Sequence, residues 1–132
     1  MSKTSFNHNG NVLGAGIARE QMNKQDKKEI DSFVRQVVKK YKSKIQAVIL
    51  FGSASRNQLN KESDIDFLIV ASGNRLDFLK KITRIAASLV LKYGRPISTK
   101  VYGISQYAYL KGLETPFMKN IENEGKILWM RS

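Results

Sequence analysis

Two apolar runs, Ile45–Phe51 (IQAVILF) and Asp64–Ala71 (DIDFLIVA), stand only about a dozen residues apart. That spacing constrains the chain more than anything else in it. Both runs are rich in β-branched residues and read as buried strands. The gap is too short for a helical crossover, so the two are expected to pair as antiparallel or mixed neighbours.

The remaining elements follow from periodicity and punctuation. Over Lys24–Tyr41, Ile30, Phe33, Val34, Val37 and Val38 recur at helical spacing, with Lys27, Lys28, Arg35 and Lys39 opposite. A second helix begins at Asn74 or Asp77 and runs to about Tyr93. Leu76, Leu79, Ile82, Ile85, Ala86 and Leu89 mark its buried face, and Gly94 with Pro96 beyond it is the stop. Ile97–Ile104 reads as a third strand. Ser105–Lys111 and Thr115–Asn123 read as short helices, and Lys126–Met130 as a closing strand. The pattern predicts an α/β (α+β) domain: a small mixed sheet with helices packed on one side. Its 132 residues suit one core, placed at 24–132 behind a flexible leader at 1–23.

Composition narrows the chemistry. There is no cysteine, which removes disulfides, thiolate metal sites and cysteine nucleophiles, and agrees with a cytoplasmic setting. The one histidine, His8, falls in the leader, so proton transfer must rest on carboxylates, metal or solvent. No apolar run reaches the roughly 20 residues that span a bilayer. The segment Val12–Ala18 is short for a secretory signal, and Arg19 and Glu20 follow it directly. A net charge of +12 attracts anions, which keeps nucleotides, nucleic acid and acidic protein partners open beside plain solubility.

The chemistry concentrates between the first two strands: LFGSASRNQLNKESDIDFLIV, Leu50–Val70. Gly52 has no Cβ, so backbone can approach a phosphate. Ser53 adds a hydroxyl, and a helix starting here would aim its first N–H groups at the same anion. Asp64 and Asp66 are two apart, which on a strand puts both carboxylates on one face. Such a pair repels itself unless a proton or cation intervenes. Mg²⁺ favours one or two carboxylates plus phosphate oxygens.

Gly-Ser, ten residues from Ala54 to Ser63, then Asp-x-Asp resembles the signature of the DNA polymerase beta-like nucleotidyltransferase superfamily. Size and element order over roughly Lys24–Met130 resemble its minimal nucleotidyltransferase (MNT) branch, and Thr115–Trp129 is similar to the closing segment of such proteins. The resemblance implies Mg²⁺-dependent transfer of a nucleoside monophosphate, usually AMP from ATP, to an acceptor hydroxyl. It implies Asp64 and Asp66 as catalytic metal ligands, with Gly52, Ser53 and Arg56 at the nucleotide. It also implies a role as antitoxin to a HEPN-type toxin. A homo-oligomer stays open.

One feature departs from the family pattern. The superfamily usually supplies a third carboxylate from a later strand, but Tyr93–Gly103 (YGRPISTKVYG) contains no acid. Two readings stand. Two carboxylates alone hold the nucleotide-bound metal, or Lys100 places its ammonium near the pair. Asp77, Glu114 and Glu122 are the other acids that could reach the site. Phe117 and Trp129 read as packing residues, and Tyr102, Tyr107 and Tyr109 fit packing better than base stacking.

Overall fold

The structure, a computed structural model, describes residues 22–132. Expectations for residues 1–21 of the leader, including His8 and Val12–Ala18, therefore fall outside the described residues. In chain order the elements are α1 (Lys24–Tyr41), β1 (Ile45–Phe51), α2 (Gly52–Ser55), β2 (Ile65–Ala71), α3 (Arg75–Tyr93), β3 (Ile97–Gly103), α4 (Ile104–Leu113), α5 (Pro116–Glu124) and β4 (Lys126–Met130).

The four strands form one mixed sheet in the order β3-β2-β1-β4. β1 pairs antiparallel with both β2 and β4, and β2 pairs parallel with β3. This is the architecture the spacing demands. A short connection can only reverse the chain, whereas the parallel β2–β3 step uses α3 as its crossover.

Alternation along the strands sorts side chains onto two faces. Val48 and Leu50 of β1, Ile65, Phe67 and Ile69 of β2 and Val101 of β3 form one cluster with Phe33 and Val37 of α1 and Ile82, Ile85 and Leu89 of α3. Phe33 stacks on Phe67 at 4.1 Å between centroids, and both rings are fully buried. Each such burial contributes about 1.5–3 kcal/mol. The long helices thus lie on one side, as expected. The other face carries Ala47, Ile49, Leu68 and Val70, and Ile121, Phe117 and Tyr107 of the short helices pack there. α4 buries none of its residues.

Local signals account for the boundaries. Asn23 caps α1 by accepting from the Asp26 N–H, Asn74 caps α3, and Thr115 caps α5 ahead of Pro116. Gly94 ends α3 with φ +103°, a left-handed conformation that favours glycine. Leu76 departs from expectation and is 63% exposed. Phe78 is buried in this part of the helix instead, packed edge-on against Tyr41 at 5.2 Å.

Candidate active site

Antiparallel pairing brings the end of β1 to the start of β2: Phe51 stands opposite Asp66. The next residue, Gly52, opens α2 with φ +70°. A Cβ built there would run into Asp66 Oδ2 and lie 3.2 Å from its Cγ. Any side chain at 52 would therefore be strained twice, by backbone conformation and by collision with the carboxylate. The glycine is what allows the turn and the acid to share one small space.

α2 is one turn, four residues long. Phe51 at its N-cap gives no side-chain cap, so the turn opens without the usual oxygen acceptor. Ser55 Oγ donates to the Gly52 carbonyl at 2.8 Å and Gln58 N–H to the Ser53 carbonyl at 2.8 Å, which fixes the turn from within. Ser53 is half-buried at its mouth.

Asp66 alternates with the buried Leu68 and Val70, so it shares the face that the short helices only partly cover. The strand begins at Ile65, which leaves Asp64 exposed just ahead of it. Burial pushes the Asp66 carboxyl above the usual carboxylate range. The neighbouring charge of Asp64 pushes the same way, and Lys100 and Arg56 pull down without cancelling them. Asp64, Lys100 and Arg56 thus all lie within electrostatic reach of Asp66.

Arg56 is placed by α2 as its C-cap. Its guanidinium contacts Glu124 at 3.3 Å, with the two side chains 40% and 47% exposed. An exposed pair of this kind is worth about 0–1 kcal/mol, so Arg56 can exchange its partner for a phosphate at little cost. Lys100 alternates with Tyr102 on the same face as Asp66, and its Nζ lies 5.7 Å from the Phe117 ring centroid. Phe117 meets Phe51 edge-on at 5.5 Å, so α5 borders the site.

Among the described residues no group of three or more His, Cys, Asp or Glu could hold a metal ion. Asp77 pairs with Lys81 on α3, Glu122 pairs with Lys111, and Glu114 caps the end of α4. The two aspartates still suit a hard cation that completes its shell with phosphate oxygens and water. The missing Cβ of Gly52 lets the Asp66 carboxylate sit directly against the turn, and beside the burial of Asp66 the repulsion from Asp64 would be relieved by a cation.

Tyr102 and Tyr107 stack on each other at 6.5 Å, in keeping with packing, whereas Tyr109 is 68% exposed. Sequence reasoning passed over Arg95. It bonds the turn ahead of Asp64, and Arg-Pro after a helix stop reads only as punctuation.

A family model described as polymerase beta, nucleotidyltransferase, matches residues 33–132. Two proteins of Methanocaldococcus jannaschii, both provisionally named protein adenylyltransferases, are each 36% identical to the chain. One alignment covers 79% of this chain and 98% of the relative, the other 73% and 91%. Among solved structures, a nucleotidyltransferase-type protein of Sulfolobus solfataricus superposes with TM-score 0.54 at 20% identity, covering 86% of this chain and 87% of that one. A toxin–antitoxin structure with AMP-PNP superposes with TM-score 0.53 at 22% identity, covering 76% and 73%. These two share the fold. No helix among the described residues is long and apolar enough to cross a membrane.

Proposed function

The chain belongs to the polymerase beta nucleotidyltransferase family of enzymes, and on that premise we propose that it transfers AMP from ATP to an acceptor hydroxyl, with Mg²⁺. The observation that carries this reading is the contact geometry of Gly52 and Asp66. A backbone turn with no side chain meets a half-buried carboxylate, and the second acid beside it adds a repulsion that a cation would relieve.

In this reading Gly52 and Ser53 take the phosphates, and Arg56 leaves Glu124 to join them. Asp64 and Asp66 would hold the Mg²⁺, whose charge would neutralise the triphosphate and ease the departure of pyrophosphate. The acceptor oxygen bonds to the α-phosphorus as the bond to the bridging oxygen breaks. Pyrophosphate leaves with that electron pair, and the acceptor's proton goes to solvent. The names of the two Methanocaldococcus relatives favour a protein hydroxyl as acceptor. The toxin–antitoxin neighbour is in keeping with an antitoxin role; a cytoplasmic setting, and a HEPN-type toxin as both partner and acceptor, are added by the resemblance to the MNT branch alone.

One observation favours a second reading, a module that binds its partner without turnover. Among the described residues Lys100, and no third acid, accompanies the pair. The +12 charge would suit an acidic partner surface or nucleic acid there.

ATP labelled at the α-phosphate separates the two. We expect Mg²⁺-dependent labelling of an acceptor protein, abolished in an Asp64→Asn, Asp66→Asn double variant. Labelling that survives the double variant would remove these acids from the chemistry. No labelling, together with a partner complex indifferent to both substitutions, would favour the second reading.

A further inference from the structure

The connection from Ser53 to Asp64 is tied to the core by Ala54 and Leu59, but from Asn60 to Ser63 it contains no apolar residue. Left to itself, such a segment would let Asp64 wander, because ordering each residue costs conformational entropy. Within the fold this turn is bonded twice over. Internally, Ser63 N–H donates to the Asn60 carbonyl (3.2 Å), Asn60 N–H to Ser63 Oγ (3.1 Å) and Glu62 N–H to Asn60 Oδ1 (2.9 Å). Externally, one guanidinium grips both of its ends. Arg95 Nη1 donates to the Asn60 carbonyl at 2.6 Å and to the Ser63 carbonyl at 2.8 Å.

The same side chain is anchored from behind. Arg95 Nε donates to Asp26 Oδ1 on α1 at 2.8 Å, with the two side chains 14% and 8% exposed. Its backbone N–H donates to Glu29 Oε1 at 3.3 Å. The adjoining Pro96 carbonyl accepts from Ile65 N–H at 2.9 Å, where the β2–β3 ladder begins. Arginine suits this place because its planar fork presents donors in several fixed directions at once, which an ammonium does not. The Ser63 carbonyl belongs to the peptide unit that ends in the Asp64 nitrogen. Peptide planarity passes the grip on that oxygen directly to Asp64.

We propose that Arg95 is a positioning residue for the candidate site: it clamps the Asn60–Ser63 turn to α1 and so fixes where Asp64 stands. Asp66 needs no such aid, since it is already registered in the sheet opposite Phe51. Loosening Arg95 therefore displaces one acid of the pair and leaves the Gly52–Ser53 turn alone. The proposal rests on the reading that Asp64 holds the nucleotide-bound metal.

The test is calorimetric titration with a nonhydrolysable ATP analogue at varied Mn²⁺, using the full chain. Arg95→Lys keeps the charge that Asp26 needs but loses the fork, and Asp26→Asn frees the guanidinium from α1. For both, the Mn²⁺ concentration at half-effect should rise by about 10–100-fold, the range for residues that orient a ligand from outside the first shell. Metal-free affinity for the analogue should stay within about twofold, and amide exchange over 61–64 should quicken. A general loss of structure would lower both affinities together, and that result would overturn the proposal. So would an unchanged Mn²⁺ dependence in both variants while Asp64→Asn abolishes it. If Asp64→Asn itself leaves the Mn²⁺ dependence intact, the reading of the site falls, and the proposed role of Arg95 falls with it.

Discussion

Around Arg95 the charges are largely buried and bonded, although Glu29 Oε2 finds no hydrogen-bond partner among the described residues. Its guanidinium meets Asp26 and two carbonyls, and Glu29 beside it takes a backbone N–H. Around Asp66 the charges are close but not settled. Asp64 repels it, and Lys100 and Arg56 attract it from exposed side chains. The two clusters stand at either end of one short polar segment, Asn60–Asp64. Charges satisfied by the fold hold position, whereas a half-buried carboxylate repelled by an exposed neighbour is, on the proposed reading, where a cation and its anion bind. Buried ion pairs seldom add net stability, but breaking one strands its partner.

The contrast can be broken by substitution. Arg95→Met should cost the most, about 3–5 kcal/mol by denaturant titration, because Asp26 stays buried without its partner. Asp64→Asn should move stability by less than about 0.5 kcal/mol, as exposed positions do. Similar losses in the two variants would erase the distinction. Gly52→Ala comes next, at about 1–2 kcal/mol for the left-handed backbone alone. Because its Cβ meets Asp66, it should also weaken nucleotide binding; a variant with full binding would show that the turn and the acid do not share a site.

The smallest effect sharpens the Arg95 side. Burial raises the Glu29 carboxyl above its ordinary range and Asp26 adds to this, while the Arg95 N–H and guanidinium lower it. Among the described residues Glu29 Oε2 is buried without a hydrogen-bond partner. A carboxyl raised in the folded state contributes stability below its unfolded pKa and loses it as pH rises through the folded pKa. Thermal melts of Glu29→Gln should therefore gain on the wild type as pH climbs from about 4, the unfolded range. Any constant offset from the new amide will not depend on pH. A difference that is flat with pH would mean that Glu29 keeps an ordinary pKa.

Much of this was legible in the residues. Strand positions came from the β-branched runs, helix starts from Asn74 and Thr115, and the stop from Gly94, because those signals act within a few residues. The mixed sheet followed from the short gap between β1 and β2. The apolar run places Asp64 in the strand, yet pairing starts at Ile65, where a ladder partner first exists. Leu76 fits the helical period but lies on an exposed stretch of the first turn. The Arg95 network was invisible because it joins residues 26, 60, 63 and 95, and no local pattern encodes contacts so far apart in sequence. The absence of a third acid near Asp66 was readable from YGRPISTKVYG, and no other acid takes its place among the described residues.

The central claim is that Gly52, Ser53, Asp64 and Asp66 form one metal–nucleotide site. Calorimetric titration of a nonhydrolysable ATP analogue with and without Mg²⁺, into the wild type and Asp66→Asn, tests it most directly. The account predicts Mg²⁺-dependent binding to the wild type and a loss of at least about tenfold in the variant, roughly 1.4 kcal/mol. Equal affinity of the two proteins in the presence of Mg²⁺ would contradict it.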